Sequence, residues 1–214
     1  MRLTRIVPVA AMAAAAMLGG AAVAQAAPVV ISAGHVDVVE AEYEDGAIEV
    51  HLHDHTVDPA VDREPADVVL EAVSSTKITV PADPAYAFLG SAGSPVWVLP
   101  QDQQDGVLFA GFSAENVESG TFAGDKLDVA LTGITGPGEV AVFDTDGSGA
   151  PTVLYDTGDG LPDVHAFHAG DHHHTNWAFT ASGTYTVTFD VTATLPDGTV
   201  VDSGPAAYTF QVDA

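Results

Sequence analysis

From residue 28 onward the chain is a succession of short β-branched and aromatic runs, each broken within a few residues by Gly, Pro or Asp. Ile48-Glu49-Val50-His51-Leu52-His53 alternates apolar and polar side chains with the period of two that a half-buried strand requires. Asp45-Gly46 just before it is a tight-turn pair, so residues 36–53 are expected to form a hairpin. Short strands are expected at 28–32, 68–73, 77–80, 96–99, 107–109, 126–132, 139–143, 152–155, 176–180, 184–194 and 207–212. Phe88-Leu89-Gly90 and the run from Val96 to Gln101 read as core strand, and residues 156–171, rich in Gly, Pro, Asp and His without a period, as a long loop. No 3.6-residue period lasts beyond two turns after the first 26 residues. Many short strands separated by turn signals predict an all-β chain, a β-sandwich. Residues 124–214 have the size and look of an immunoglobulin-like portion, packed on a smaller β portion at 27–123.

Residues 1–26 read as a signal peptide. Arg2 and Arg5 precede an Ala-rich apolar stretch, and Ala24-Gln25-Ala26 offers a small-x-small cleavage site. Export is therefore expected, with the product secreted or held at the cell surface and no membrane insertion after cleavage. There is no Cys, and Met1, Met12 and Met17 all lie in the leader, so the remainder holds no sulfur. Any metal must be bound by nitrogen and oxygen. Beyond the leader the basic residues are Arg63, Lys77 and Lys126; three against 30 acidic residues leaves −27 with His neutral. Such a surface repels nucleic acid and anionic lipid and attracts cations.

Histidine is the residue through which chemistry enters. In Asp171-His172-His173-His174-Thr175-Asn176-Trp177, an extended backbone puts His172 and His174 on one face, about 7 Å apart, and His173 on the other. Trp177 is expected to anchor the segment in the core. His165 and His168 precede this run. A second cluster, His51-Leu52-His53-Asp54-His55, places His51, His53 and His55 on one strand face as an auxiliary or collecting site. His35 stands alone in Gly34-His35-Val36-Asp37, with Asp37 two residues on to orient the ring or to ligate. Phosphate loops, dinucleotide fingerprints and nucleophile elbows are missing, and neither Asp-rich turn (144–147, 156–160) carries the closing Glu of a calcium loop.

Gly34-His35-Val36-Asp37, Ala87-Phe88-Leu89-Gly90, the run Val96-Trp97-Val98-Leu99-Pro100-Gln101, His172-x-His174-x-Asn176-Trp177-Ala178-Phe179-Thr180 and Gly183-Thr184-Tyr185 follow one another in this order. Together they resemble the choice-of-anchor M domain, an actinobacterial surface-anchored protein domain, over nearly the whole chain beyond the leader. The resemblance implies an exported protein tethered to the envelope and working beside an ABC transporter of the zinc/manganese type. It maps the family's paired histidines to His172 and His174 and its early Gly-His to His35; His51, His53 and His55 rest on spacing alone. The chain ends at Ala214 without a sorting motif or apolar tail, so release, or attachment through a partner, is expected.

The resulting expectation is a divalent-metal-binding protein and not an enzyme, with zinc first and copper(II) or manganese(II) after it. The ligands are His35, His172 and His174, with Asp37 as an orienting or fourth group. A partner is expected in a transporter's substrate-binding protein or another envelope protein. Affinity should fall as pH drops through about 6.5, because neutral imidazole is the ligand. The competing class is a structural or adhesive surface sandwich whose histidines only pack or face solvent. A metal-dependent hydrolase or dismutase would need an open coordination position and a general base that no spacing supplies.

Overall fold

The alternation written into the sequence becomes three β-sheets in the computed structural model, which describes residues 27–214. The leader expected at 1–26 lies outside the described residues. The largest sheet runs Val29–Ile31, Val68–Ala72, Ala206–Val212, Gly183–Thr194, Lys126–Thr135 and Asp163–His168, with Val200–Asp202 hydrogen-bonded to the end of Gly183–Thr194. A second sheet runs Pro151–Asp156, Val140–Thr145, Asn176–Phe179, Pro95–Leu99 and Lys77–Thr79. The third runs His172–His174, Leu108–Ser113, Gly34–Glu44, Ala47–Asp54 and Val61–Arg63. The fold is all-β and consistent with a β-sandwich. Every sheet takes strands from both sides of residue 124, so the 27–123 and 124–214 segments share one core. Among the described residues, no helix is long and apolar enough to cross a membrane.

Aromatic side chains join the layers. Phe112 of the third sheet stacks on Trp177 of the second at 5.2 Å, and both lie against Phe189 of the largest sheet. Trp177 is fully buried, as its place in the sequence predicted. Next to it the Asn176 amide donates to Gln101 Oε1 at 2.7 Å and accepts from Gln101 N at 3.0 Å. Only Thr175 separates His172–His174 from Asn176–Phe179, so the histidine run hangs directly on this core.

The expected hairpin is present. Asp45 and Gly46 both take positive φ, as a two-residue turn between right-twisted strands requires, and Glu44 pairs Ala47 across it. Two expectations are corrected. Residues 156–171 are not one loop, because Asp163–His168 forms an edge strand on Lys126–Thr135, held by buried Phe167 with half-buried His165 beside it, while Val164, Ala166 and His168 face outward. Phe88-Leu89 is not strand; Pro84–Leu89 is a 3-10 helix whose start is capped by Asp83 accepting from Ala85 N at 2.9 Å. Leu89 then fills a small core with Val80, Val96 and Phe143.

The hairpin's end is fastened by Asp54, only 1% exposed, which accepts from Thr56 N, Thr56 Oγ1 and Arg63 Nε at 2.6–2.8 Å. Burial works to raise this carboxyl, but the bonds from Thr56 and Arg63 outweigh it and hold it below the usual range. A depressed carboxylate contributes stability above its unfolded value, about 3.9, and loses it as pH falls through the lower folded value. Arg63→Met is expected to destabilise the fold by about 2–3 kcal/mol, since the Thr56 bonds remain, and to move acid unfolding to higher pH. Urea melts at neutral and acidic pH check both effects.

Candidate metal centre

The centre begins with an irregularity in Gly34–Glu44. Against Ala47–Asp54, Asp37 pairs His53 and Glu40 pairs His51, so three steps along one strand match two along the other. That extra residue is a β-bulge. In a regular strand Asp37 and Glu40 would face opposite sides; the bulge turns both to one side, while Val38 and Val39 stay buried. His35 and Asp37 thereby face the same surface as the histidine run.

His172–His174 joins the third sheet's other edge, with Leu108–Ser113 between the two ligand-bearing strands. Asp37 pairs Gly111, and Gly111 pairs His174, forming one row across three strands. Side chains on the outer two must lean across about 9–10 Å to meet. Gly111 makes that possible: a Cβ there would come within 2.9 Å of the His174 ring and 3.1 Å of Asp37 Oδ1. Phe109, one step along on the same face, lies flat against His174 at 3.6 Å between ring centres.

Four atoms converge as a result. His174 Nε2 lies 3.0 Å from His35 Nε2 and 3.2 Å from His172 Nε2. Asp37 Oδ1 lies 2.8 Å from His172 Nε2, 3.3 Å from His35 Nε2 and 3.8 Å from His174 Nε2. Ligands held tetrahedrally by one zinc at about 2.0–2.1 Å sit about 3.3–3.4 Å from one another. The five separations straddle that value. Hydrogen bonding alone fits the cluster less well: a ring nitrogen carries at most one proton, yet His174 Nε2 faces two other ring nitrogens and a carboxylate oxygen. These four residues could hold a metal ion. No family model matches the chain, and neither the curated proteins nor the solved structures contain a match.

The protonation states suit ligation. Burial opposes charge on Asp37, but the His35 hydrogen bond and the charges of His172, His35 and His174 hold its carboxyl down at about 2. Burial, reinforced by His35, pushes His174 down to about 4, so it keeps its lone pair at neutral pH. Glu115 Oε2 lies 3.0 Å from His172 Nδ1. A proton shared there leaves Nε2 free to face the centre. His55 stacks on His35 at 4.0 Å, and its Nε2 lies 3.1 Å from Asp37 Oδ2, so it braces the ligand carboxylate from behind.

The sequence-predicted residues therefore separate. His35, Asp37, His172 and His174 meet. The His53 and His55 rings touch edge to face at 4.4 Å, but His51, His53 and His55 do not share one carboxylate. His51 lies beside Glu49 and Glu64, His53 beside Glu40 and Asp62, and His55 behind Asp37. His51 and His53 share a strand face as expected, His55 stands in the turn just past the strand's end at Asp54, and each reaches a different carboxylate. His173 turns away to Asp144, 3.2 Å off, and His168 pairs with its neighbour Asp171. Glu115, Gly111 and Phe109 carry no motif, and only strand register reveals them.

Gly111→Ala should test the row directly, since it alters no ligand. The added methyl would push the His174 ring off its position, and affinity for zinc is expected to fall about 10–100-fold, the range seen when a ligand's support is lost. Zinc titration of the variant, with a melt to verify the fold, provides the measurement.

Proposed function

We propose that this chain is an exported metal-binding protein that captures a divalent transition metal ion, zinc before copper(II) or manganese(II), through His35, Asp37, His172 and His174. The observation that carries the reading is the near-tetrahedral spacing of three imidazole nitrogens and one carboxylate oxygen. Three nitrogens with one oxygen and no sulfur suit zinc, which prefers four ligands at spacings close to these. Asp37 fills the fourth position, which a catalytic zinc would leave to water; this supports holding the ion over using it in a reaction.

Export rests on the leader-like residues 1–26, and the cellular setting on the resemblance to the choice-of-anchor M domain. In that setting the protein would collect zinc at the cell surface or outside it and supply an ABC-type uptake system, through a substrate-binding protein or another envelope protein. The strongly acidic chain supports cation capture by raising the local concentration of cations.

Calorimetric titration of the purified chain with zinc is expected to give binding at one four-ligand centre, abolished when His172→Ala and His174→Ala are combined. Unchanged heat in the double variant would sink the assignment. Zinc at about a thousand times its dissociation constant should add about 4 kcal/mol to stability, reversed by chelator. A melting temperature indifferent to chelator would instead favour a purely structural surface module.

A further inference from the structure

We propose that Glu40, His53 and Asp62 form a second divalent-cation site, suited to a hard ion of the manganese(II) kind that keeps water in its remaining positions. It shares no ligand with the first centre.

The site is built by strand register. Ala47–Asp54 lies between Gly34–Glu44 and Val61–Arg63, and His53 pairs Asp62 on the outer side. On the inner side the bulge turns Glu40 toward the same face. His53 Nδ1 is hydrogen-bonded to Asp62 Oδ1 and lies 3.2 Å from Glu40 Oε2. One ring nitrogen carries one proton and can serve only one of these carboxylates.

Glu40 is the oxygen left over. The residue is 3% exposed; Oε1 accepts from Asn116 Nδ2 at 2.8 Å, while Oε2 is buried with no hydrogen bond and points at the His53–Asp62 pair. A buried carboxylate oxygen without a donor is costly, and native structures rarely leave one. Burial pushes the Glu40 carboxyl up, His53 works against that, and Asp37, Glu42 and Asp62 add to it. None of the three basic side chains among the described residues answers it: Arg63 is bound to Asp54, Lys126 to Asp128, and Lys77 sits over Trp97. A cation between Glu40 Oε2, His53 Nδ1 and Asp62 Oδ1 would satisfy all three atoms at once.

The donor set selects the class of ion. Two carboxylates and one imidazole are harder than the three imidazoles of the first centre, and carboxylate with water suits manganese(II). Zinc, higher in the affinity order, fills the four-ligand centre first. The two sites are neighbours, because the His55 ring lies 4.0 Å from that of His35 and 4.4 Å from that of His53.

Electron paramagnetic resonance tests the site, since the six-line signal of aqueous manganese(II) disappears on binding. The purified chain carrying one equivalent of zinc is titrated with manganese(II). One further ion per chain is expected to bind, and Asp62→Asn and Glu40→Gln should each weaken that step about 100-fold or more. Asp62 is exposed, so its variant keeps the fold, and Glu40→Gln preserves the oxygen that Asn116 contacts. A chain combining His172→Ala and His174→Ala should still bind manganese(II), which separates failure of the first centre from failure of this one. No uptake by the zinc-loaded chain, or equal uptake by the Asp62 and Glu40 variants, would overturn the proposal.

Discussion

One extra residue in the Gly34–Glu44 strand is the constraint on which both ligand clusters depend. Without the bulge, Asp37 and Glu40 would project to opposite faces, one of them into the apolar layer. With it, Val36, Val38 and Val39 remain buried while both carboxylates face the histidines. The irregularity persists on both flanks of the strand, against Ala47–Asp54 and against Leu108–Ser113. A feature gripped from two sides is not a local accident of one hairpin. It fixes the direction of Asp37 through hydrogen bonds that none of its ligand neighbours supplies.

The second constraint is the stiffness of the His172–His174 strand. Three residues of edge strand would fray if they stood alone. Here Thr175 passes the chain from one sheet to the next, and Asn176 and Trp177 lock it within three residues of His174. Phe112, which pairs His173, also stacks on Trp177, so the strand that receives the histidines and the core that anchors them are one body. Converging nitrogen lone pairs repel one another, and packing of this kind is what can hold them near the spacing an ion requires.

The sequence made the strands legible wherever one face was apolar and the turn chemistry was explicit. The 47–53 alternation and Asp45-Gly46 needed no tertiary information, and the i, i+2 spacing put His172 and His174 on one face and His173 on the other. The strand at 163–168 was hidden because an edge strand needs only Phe167 in the core and is free to carry polar residues elsewhere. Gly111 and Glu115 were invisible for a deeper reason. Their roles come from which strand lies between the ligands and in what register, and no local pattern encodes that. His51 and His53 lie on one strand face as read, while His55 falls in the turn beyond it, and a face shared within one strand does not decide which carboxylates the neighbouring strands bring to it.

Charge and geometry divide the work of capturing an ion. The excess of acidic over basic residues draws cations of every kind toward the surface, but exposed charges are screened beyond about 8 Å at physiological salt, so this field carries no preference among divalent ions. Preference has to arise within the last few ångströms, where the number of nitrogens, the number of carboxylate oxygens and the space left for water differ from site to site. A chain without sulfur beyond residue 26 and with three basic side chains there has few other means of neutralising buried carboxylates. Asp54 takes Arg63, and Asp37 takes histidines. Glu40 has only a share of His53, whose Nδ1 is hydrogen-bonded to Asp62, and its buried Oε2 is left without a hydrogen bond, which separates it from the carboxylates that the fold satisfies.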